Sequence, residues 1–430
     1  MGDAATRQTT SELAEPAHAY DLFVVYAATD AEFVRGYLLP ALNLPRSRVL
    51  LVDELPLGGV IVAEVDRGVT QSRFTVTVLS PAYLADRWAV FGERLASHLS
   101  VDDTRIIPLR LTACDLPLRL DACVSLDFTD GPRWDAQTQR LRDLLRAPPP
   151  APEQLACPYP GMRALGAADV GRFFGRDHEV DDLVGRLDRG ERAIYVIGPS
   201  GSGKSSLVQA GLLPVIDAGS SRLGRTFVAR TMRPGERPAE RLAHALDGDL
   251  ATPVKAVEAF VARHPPAERA LVFIDQLEEL FTMAAADQRQ RFIEAVEALR
   301  ANTPCCFVLA LRADFYGALM DSKLWPQRTG LSRLDVAPLR GPALAEAITA
   351  PAMRAGVQLE ARLRDRLVDD AAGEPGVLPL VQETLRMLWD KRRHRYLGLA
   401  AYEALGQGGR GLDVAIALRA NTAMYELTDP

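Results

Sequence analysis

The chain is 430 residues long, which at roughly 100–200 residues per domain allows two to four domains. Its 48% apolar and 25% charged residues are the balance of a folded protein and exclude global disorder. Lys plus Arg number 50 against 56 Asp plus Glu, a net charge of -6, so the broad basic footprint of a general nucleic-acid binder is missing. No apolar run approaches the ~20 residues of a membrane-spanning helix, and the polar N-terminal stretch carries no signal-peptide pattern, so the expected location is the cytoplasm. Five cysteines (Cys114, Cys123, Cys157, Cys305, Cys306) form an odd set without metal-ligand spacing, as expected of reduced thiols.

Residues 1–18 have no hydrophobic period and are expected to form a flexible tail. The opening MGDAAT meets a lipidation pattern at Gly2 and Thr6, which reads as a chance match in a loose polar stretch. From Tyr20, short apolar runs alternate with amphipathic stretches. DLFVVYA (21–27), RVLLVD (48–53), RFTVTVLS (73–80), RIIPLRL (105–111) and CVSLDF (123–128) predict five strands. Helices are predicted over 30–42, 60–70, 81–99 and 134–146. Alternation of this kind builds a parallel sheet covered on both faces, with ligands bound beyond the carboxyl ends of its strands.

APPPAPEQ (147–154) then breaks the pattern. Consecutive prolines fix φ and remove backbone donors, so 147–160 is expected to be a semi-rigid linker. A second α/β stretch occupies 161–338. Beyond it the strand signals stop, and 339–403 reads as helices interrupted by the turn GEPGVLP (373–379). The cations of KRRHR (391–395) are read as complementing a helix C-terminus.

AIYVIGPSGSGKSSLVQAGLLP (193–214) carries the strongest signal. An apolar strand runs into Gly198, Pro199, Ser200, Gly201, Ser202, Gly203, Lys204 and Ser205, and an apolar-periodic helix follows. This is G-x-x-x-x-G-K-S in the strand–loop–helix context the motif requires. Glycines let successive N–H groups cradle phosphate oxygens, and the helix start adds positive potential. Lys204 is expected on the β/γ phosphates of ATP or ADP and Ser205 on Mg²⁺, with Ser206 closing the set. ALVFIDQLEEL (270–280) is an apolar strand ending in a carboxylate. Asp275 is therefore the expected second Mg²⁺ residue, and Glu278 or Glu279 the one that polarises an attacking water. CCFVLALRADF (305–315) ends in Arg312, which can sense a γ-phosphate or pair with Asp314; both readings stand here.

With these motifs the second half resembles a STAND-type signalling NTPase, a bacterial relative of the apoptosome and plant disease-resistance ATPases. The resemblance runs through CPYPGMRAL, FFGRDHEV (173–180), GPSGSGKSSL, DQLEE, LRADF and GVLPLVQETLRMLW (376–389). It implies that Gly175 and Arg176 belong to an adenine-side segment, with Asp177 where the family has Glu, and that Pro379 packs on the adenine. It also implies a switch: ADP holds a closed monomer, exchange for ATP drives self-assembly, and slow hydrolysis resets it. Residues 404–430 look like the start of a winged helix, so the trigger molecule and the sensor that reads it stay unidentified.

Residues 19–146 resemble a TIR domain, through YDLFVVYAATD (20–30, with Val25 at the usual serine position), DELPLGG (53–59) as the BB loop, and SRFTVTVLSPAYLADRW (72–88). A response-regulator receiver would need an acceptor Asp where Ser80 stands. The implied fold is flavodoxin-like α/β with a five-stranded parallel sheet, followed by the P-loop α/β domain, the helical domain and the winged-helix start. Many TIR domains cleave NAD⁺, with a catalytic Glu four residues after a helical Trp. Here Gly92 holds that place after Trp88, and Glu93 comes one residue late, a rotation of about 100° on a regular helix. The adopted expectation is NAD⁺ cleavage through Glu93 in antiphage defence, switched on by homo-oligomerisation. The alternative is an ATP-gated scaffold whose inactive TIR domain makes homotypic contacts. Neither expects a membrane or a general nucleic-acid partner.

Overall fold

The computed structural model describes residues 18–56, 60–86, 106–115, 120, 124–151, 153–219, 223–301, 303–325, 332–372, 376–406, 411–414 and 417. They fall into two compact units, one drawn from Met1–Gln154 with Arg393–Tyr396, the other from Leu155–Arg392 with Leu397–Pro430.

The first unit is built on five strands: β1 (Tyr20–Val25), β2 (Val49–Leu51), β3 (Ser72–Leu79), β4 (Ile106–Arg110) and β5 (Leu126–Asp127). All pair in parallel in the order β2-β1-β3-β4-β5, with Val24 opposite Val76 and Thr77 opposite Pro108. Four successive residues of β1, Leu22 to Val25, are fully buried, which is the signature of a strand covered on both faces. Helical residues 31–42 and the helices Ile61–Gln71 and Trp134–Leu145 supply that cover. The Trp134 ring lies 5.2 Å from Phe33 and 4.8 Å from Tyr37, centroid to centroid, so the last helix is pinned by aromatic contacts worth about 1 kcal/mol each beyond their burial. All five strands expected here form, each within a few residues of the expected bounds.

In the second unit, β6 (Ala193–Gly198), β7 (Phe227–Met232), β8 (Arg269–Ile274), β9 (Cys305–Arg312) and β10 (Arg333–Asp335) form another parallel sheet, ordered β10-β6-β9-β8-β7. Side-chain alternation divides its core in two. Ala270, Val272 and Ile274 of β8 pack with Cys305, Phe307 and Leu309 of β9 on one face. Leu271 and Phe273 pack with Cys306 and Val308 on the other. Helices Pro238–Ala245, Pro253–Ala262 and Ala286–Arg300 cover the first face; Asp177–Asp188 and the helical residues 204–217 cover the second. A separate apolar cluster joins the helices Gly341–Arg354, Ala361–Ala371 and Leu378–Trp389. Arg392 donates to the Trp389 carbonyl at 2.9 Å, so at least this cation of KRRHR caps a helix end as expected.

The edge strands β7 and β10 were not legible in the sequence. β7 is half-exposed along most of its length and β10 is three residues with a charge at each end, so neither shows an apolar run. Among the described residues no helix is long and apolar enough to cross a membrane. Cys114, Cys157, Cys305 and Cys306 are free thiols, the last two buried in β9.

Candidate functional site

The phosphate loop grows out of β6. The strand ends at Gly198, residues 199–203 turn, and the helical run begins at Lys204. Gly201 and Gly203 have φ of 72° and 92°, the left-handed region that glycine occupies without steric cost. A Cβ on Gly201 would stand 2.8 Å from the Gly376 carbonyl oxygen, so the loop lies backbone to backbone against that turn. Lys204 Nζ donates to the carbonyls of Gly198 (2.9 Å) and Pro199 (2.8 Å), folding the ammonium back over the loop. Burial lowers the Lys204 pKa from the ordinary lysine value, and the carboxylates of Glu278 and Asp275 work against that shift.

Asp275 follows β8 and is 1% exposed. Its N–H donates to the Met232 carbonyl at 2.9 Å, which sets it at the carboxyl end of the sheet. Ser205 Oγ donates to Asp275 Oδ1 at 2.7 Å. On the other oxygen, Gln209 Nε2 and Arg233 Nη2 each stand at 3.5 Å. The next residue, Gln276, has φ of 55°, a strained conformation costing about 1–3 kcal/mol that is concentrated at functional sites. A hydroxyl and a carboxylate are hard oxygen donors, and Mg²⁺ in nucleotide sites takes few protein ligands beside water and phosphate, so this pair fits the ion. No group of three or more His, Cys, Asp or Glu among the described residues forms a metal cage.

These residues open into a cleft of about 750 Å³. Its polar and loop lining includes Pro199, Ser200, Gly201, Gly203, Lys204, Ser205, Ser206, Arg233 and Gln276. Its apolar lining includes Leu165, Phe173, Phe174, Leu339, Leu378 and Pro379. That volume, with polar groups and flat apolar side chains in one lining, suits a nucleotide. An ion-pair cluster, in which two partly exposed arginines meet one buried carboxylate, braces one wall. Asp169 accepts from Arg163 at 2.6 and 2.9 Å, from Arg172 at 3.2 Å and from the Gly166 N–H at 3.1 Å. The Arg163 guanidinium draws the Asp169 pKa down to about 2. The Leu165 N–H donates to Ser206 Oγ at 3.0 Å, tying this wall to the phosphate loop.

Several expected residues hold supporting places. Arg176 lines the cleft, is 4% exposed and donates to the carbonyls of Ser202 (2.9 Å) and Ala337 (2.6 Å), so it also anchors the phosphate loop to the chain after β10. Gly175, Gly198 and Ser202 are not in the cleft lining; a Cβ on Gly175 would meet the Ala343 carbonyl at 2.4 Å. Glu278 accepts the Arg312 N–H at 3.2 Å, whereas Glu279 accepts the Gly235 N–H at 2.9 Å. Arg312 pairs with Asp314 at 2.6 Å, the structural side of the alternative left open above. Arg233 was missed because it follows an edge strand without an apolar run. Gln276 was passed over although it stands inside DQLEE; its strain is a backbone property invisible in sequence.

In the first unit, Ser80 Oγ donates to Asp30 Oδ2 at 2.6 Å and accepts the Tyr83 N–H at 3.1 Å, capping the helix Pro81–Asp86. Burial raises the Asp30 pKa, against the Ser80 hydrogen bond. Asp53 accepts from the Tyr26 hydroxyl at 2.7 Å and from Arg35 at 3.0 Å, fixing the base of the expected BB loop, whose residues 57–59 lie outside the described residues. Trp88, Gly92 and Glu93 lie outside them as well.

A strand-borne G-x-x-x-x-G-K-S loop, a buried strand-end carboxylate against its serine and a nucleotide-sized cleft define a P-loop NTPase. A family model described as Novel STAND NTPase 1 matches residues 158–430, and another described as TIR domain matches residues 22–142. The chain belongs to the novel STAND NTPase 1 family of signalling NTPases and carries an N-terminal TIR domain. It is 33% identical over 89 residues to Protein toll of Drosophila melanogaster; that match covers 20% of this chain and spans 8% of the relative's length. The TIR domain of the Toll-related receptor TRR-2 from Hydra magnipapillata is similar at 22% identity over 30% of this chain and 98% of that one, with a TM-score of 0.25. A Walker-type ATPase of Pyrococcus abyssi is similar at 14% identity over 61% and 76% of the two chains, with a TM-score of 0.41.

Proposed function

We propose that the second unit binds and slowly hydrolyses ATP as a switch, and that the ATP form assembles with copies of itself to activate the TIR domain. The observation that carries this reading is the 2.7 Å contact between Ser205 and buried Asp275 beside the phosphate loop. Lys204 and the loop N–H groups hold the β and γ phosphates, while Phe173, Phe174 and Pro379 enclose the base. Ser205 and Asp275 would hold Mg²⁺, which would neutralise the negative charge of the phosphates. Glu278, among the carboxylates acting on the Lys204 charge, is the one assigned to orient the attacking water. Glu279, tied to Gly235, is assigned to hold the loop after β7. Arg312 reaches a γ-phosphate by giving up Asp314.

For the TIR domain we propose NAD⁺ cleavage at the nicotinamide–ribose bond in antiphage defence, Glu93 stabilising the positive charge that develops on the ribose. One sequence observation favours the second reading, a scaffold without chemistry: Gly92 occupies the place four residues after Trp88. The deciding experiment follows NAD⁺ in concentrated protein with ATP and Mg²⁺. The first reading expects loss that depends on ATP and disappears in Glu93→Gln while assembly, followed by light scattering, persists. Assembled wild-type protein that leaves NAD⁺ untouched replaces it with the scaffold.

A further inference from the structure

Two donors outside the phosphate-loop motif stand 3.5 Å from Asp275 Oδ2, Gln209 Nε2 and Arg233 Nη2, and of the two only the arginine carries a charge. β7 lies beside β8 with Met232 opposite Ile274, so the residue after β7 arrives level with the residue after β8. That residue is Arg233. Its Nη2 stands 3.5 Å from Asp275 Oδ2, while Ser205 holds Oδ1. The two partners are unequally placed: the Asp275 side chain is 2% exposed and that of Arg233 is 51% exposed. The carboxylate is thus fixed, and the guanidinium, on a long side chain at the wall of the cleft, can swing.

We propose that Arg233 competes with Mg²⁺ for Asp275 Oδ2, yields that oxygen when the metal arrives with nucleotide, and moves to the phosphate oxygens. This rests on the nucleotide reading of the cleft. Two cations sharing one buried carboxylate oxygen repel each other, so an arginine there raises the Mg²⁺ concentration needed for binding. The same arginine lies among the phosphate-loop residues that line the cleft, and guanidinium forms paired hydrogen bonds with phosphate that ammonium does not. The guanidinium therefore neutralises Asp275, which would otherwise repel the phosphates, when metal is scarce, and metal entry releases it to the phosphate oxygens.

The test is a Mg²⁺ titration of ADP binding to the full chain, followed by calorimetry, in wild type, Arg233→Gln and Arg233→Lys. In Arg233→Gln the Mg²⁺ midpoint should fall by about five- to tenfold, and affinity for ADP in EDTA should fall several-fold. Arg233→Lys keeps the cation and should stay within about twofold of the wild-type midpoint. An unchanged midpoint in Arg233→Gln, with the thermal midpoint confirming a folded protein, overturns the proposal while leaving nucleotide binding intact. Wild-type protein that binds no ADP at any Mg²⁺ concentration overturns the nucleotide reading itself.

Discussion

Lys204→Ala removes the ammonium from the phosphate loop. In the structure that ammonium already makes two hydrogen bonds to carbonyls, 2.9 Å to Gly198 and 2.8 Å to Pro199. Bound phosphate therefore gains the difference between an ion–ion and an ion–dipole contact, not the whole contact. A hydrogen bond to a charged group contributes roughly 1.5–3 kcal/mol, and with the carbonyl exchange deducted about 2 kcal/mol remains, or roughly 30-fold in Kd. Calorimetric titration with ADP should show this loss, while Lys255→Ala, exposed on a helix, stays within about twofold. There is also a pH signature. Burial lowers the Lys204 pKa, and anionic phosphate favours its protonated form, so wild-type affinity should decline on the alkaline side sooner than an ordinary lysine would allow. Lys204→Ala should lack that decline. A loss under about threefold in a variant with a wild-type thermal midpoint would refute the phosphate-loop assignment.

Asp275→Asn keeps an acceptor for Ser205 Oγ but removes the charge facing the metal, so ATP turnover should collapse while ADP binding persists; a phosphate-release assay at near wild-type rate would exclude Asp275 as the metal residue. Gly201→Ala puts a Cβ 2.8 Å from the Gly376 oxygen at a φ of 72°, and urea denaturation should show about 2 kcal/mol lost; a change under about 0.5 kcal/mol would mean the loop is free to move away. Asp169 is held to about pKa 2 in the folded protein against 3.8 unfolded, so its contribution is complete above the unfolded value and is lost as pH falls toward about 2. The gap in thermal midpoint between wild type and Asp169→Asn should accordingly be widest above about pH 5 and narrow in acid; a gap independent of pH would contradict the ion-pair account.

Much of the site was legible because its chemistry is local in the chain. The phosphate loop needs glycines, a lysine and a serine at fixed spacing between a strand and a helix, and that spacing survives in sequence unchanged. The buried strands β1, β8 and β9 were equally legible: a strand covered on both faces must be apolar throughout. The same logic explains why Asp275 could be named, since a charge at the end of such a run stands out.

What the sequence determined by itself was the parallel α/β architecture, the phosphate loop and the carboxylate that ends β8 opposite Ser205. Only the tertiary structure decided which partners those residues have. Arg176, read as an adenine-side residue, lines the cleft and is also braced by carbonyls of Ser202 and Ala337, 26 and 161 positions away. Glu278 and Glu279 are adjacent in sequence yet are held by backbone donors on different strand ends. Arg233 reaches Asp275 only because edge strand β7 pairs with β8, and an edge strand, solvated along one side, leaves no hydrophobic trace. Periodicity records which side chains leave water; it does not record which distant backbone each polar group meets, because that is set by the order of strands in the sheet.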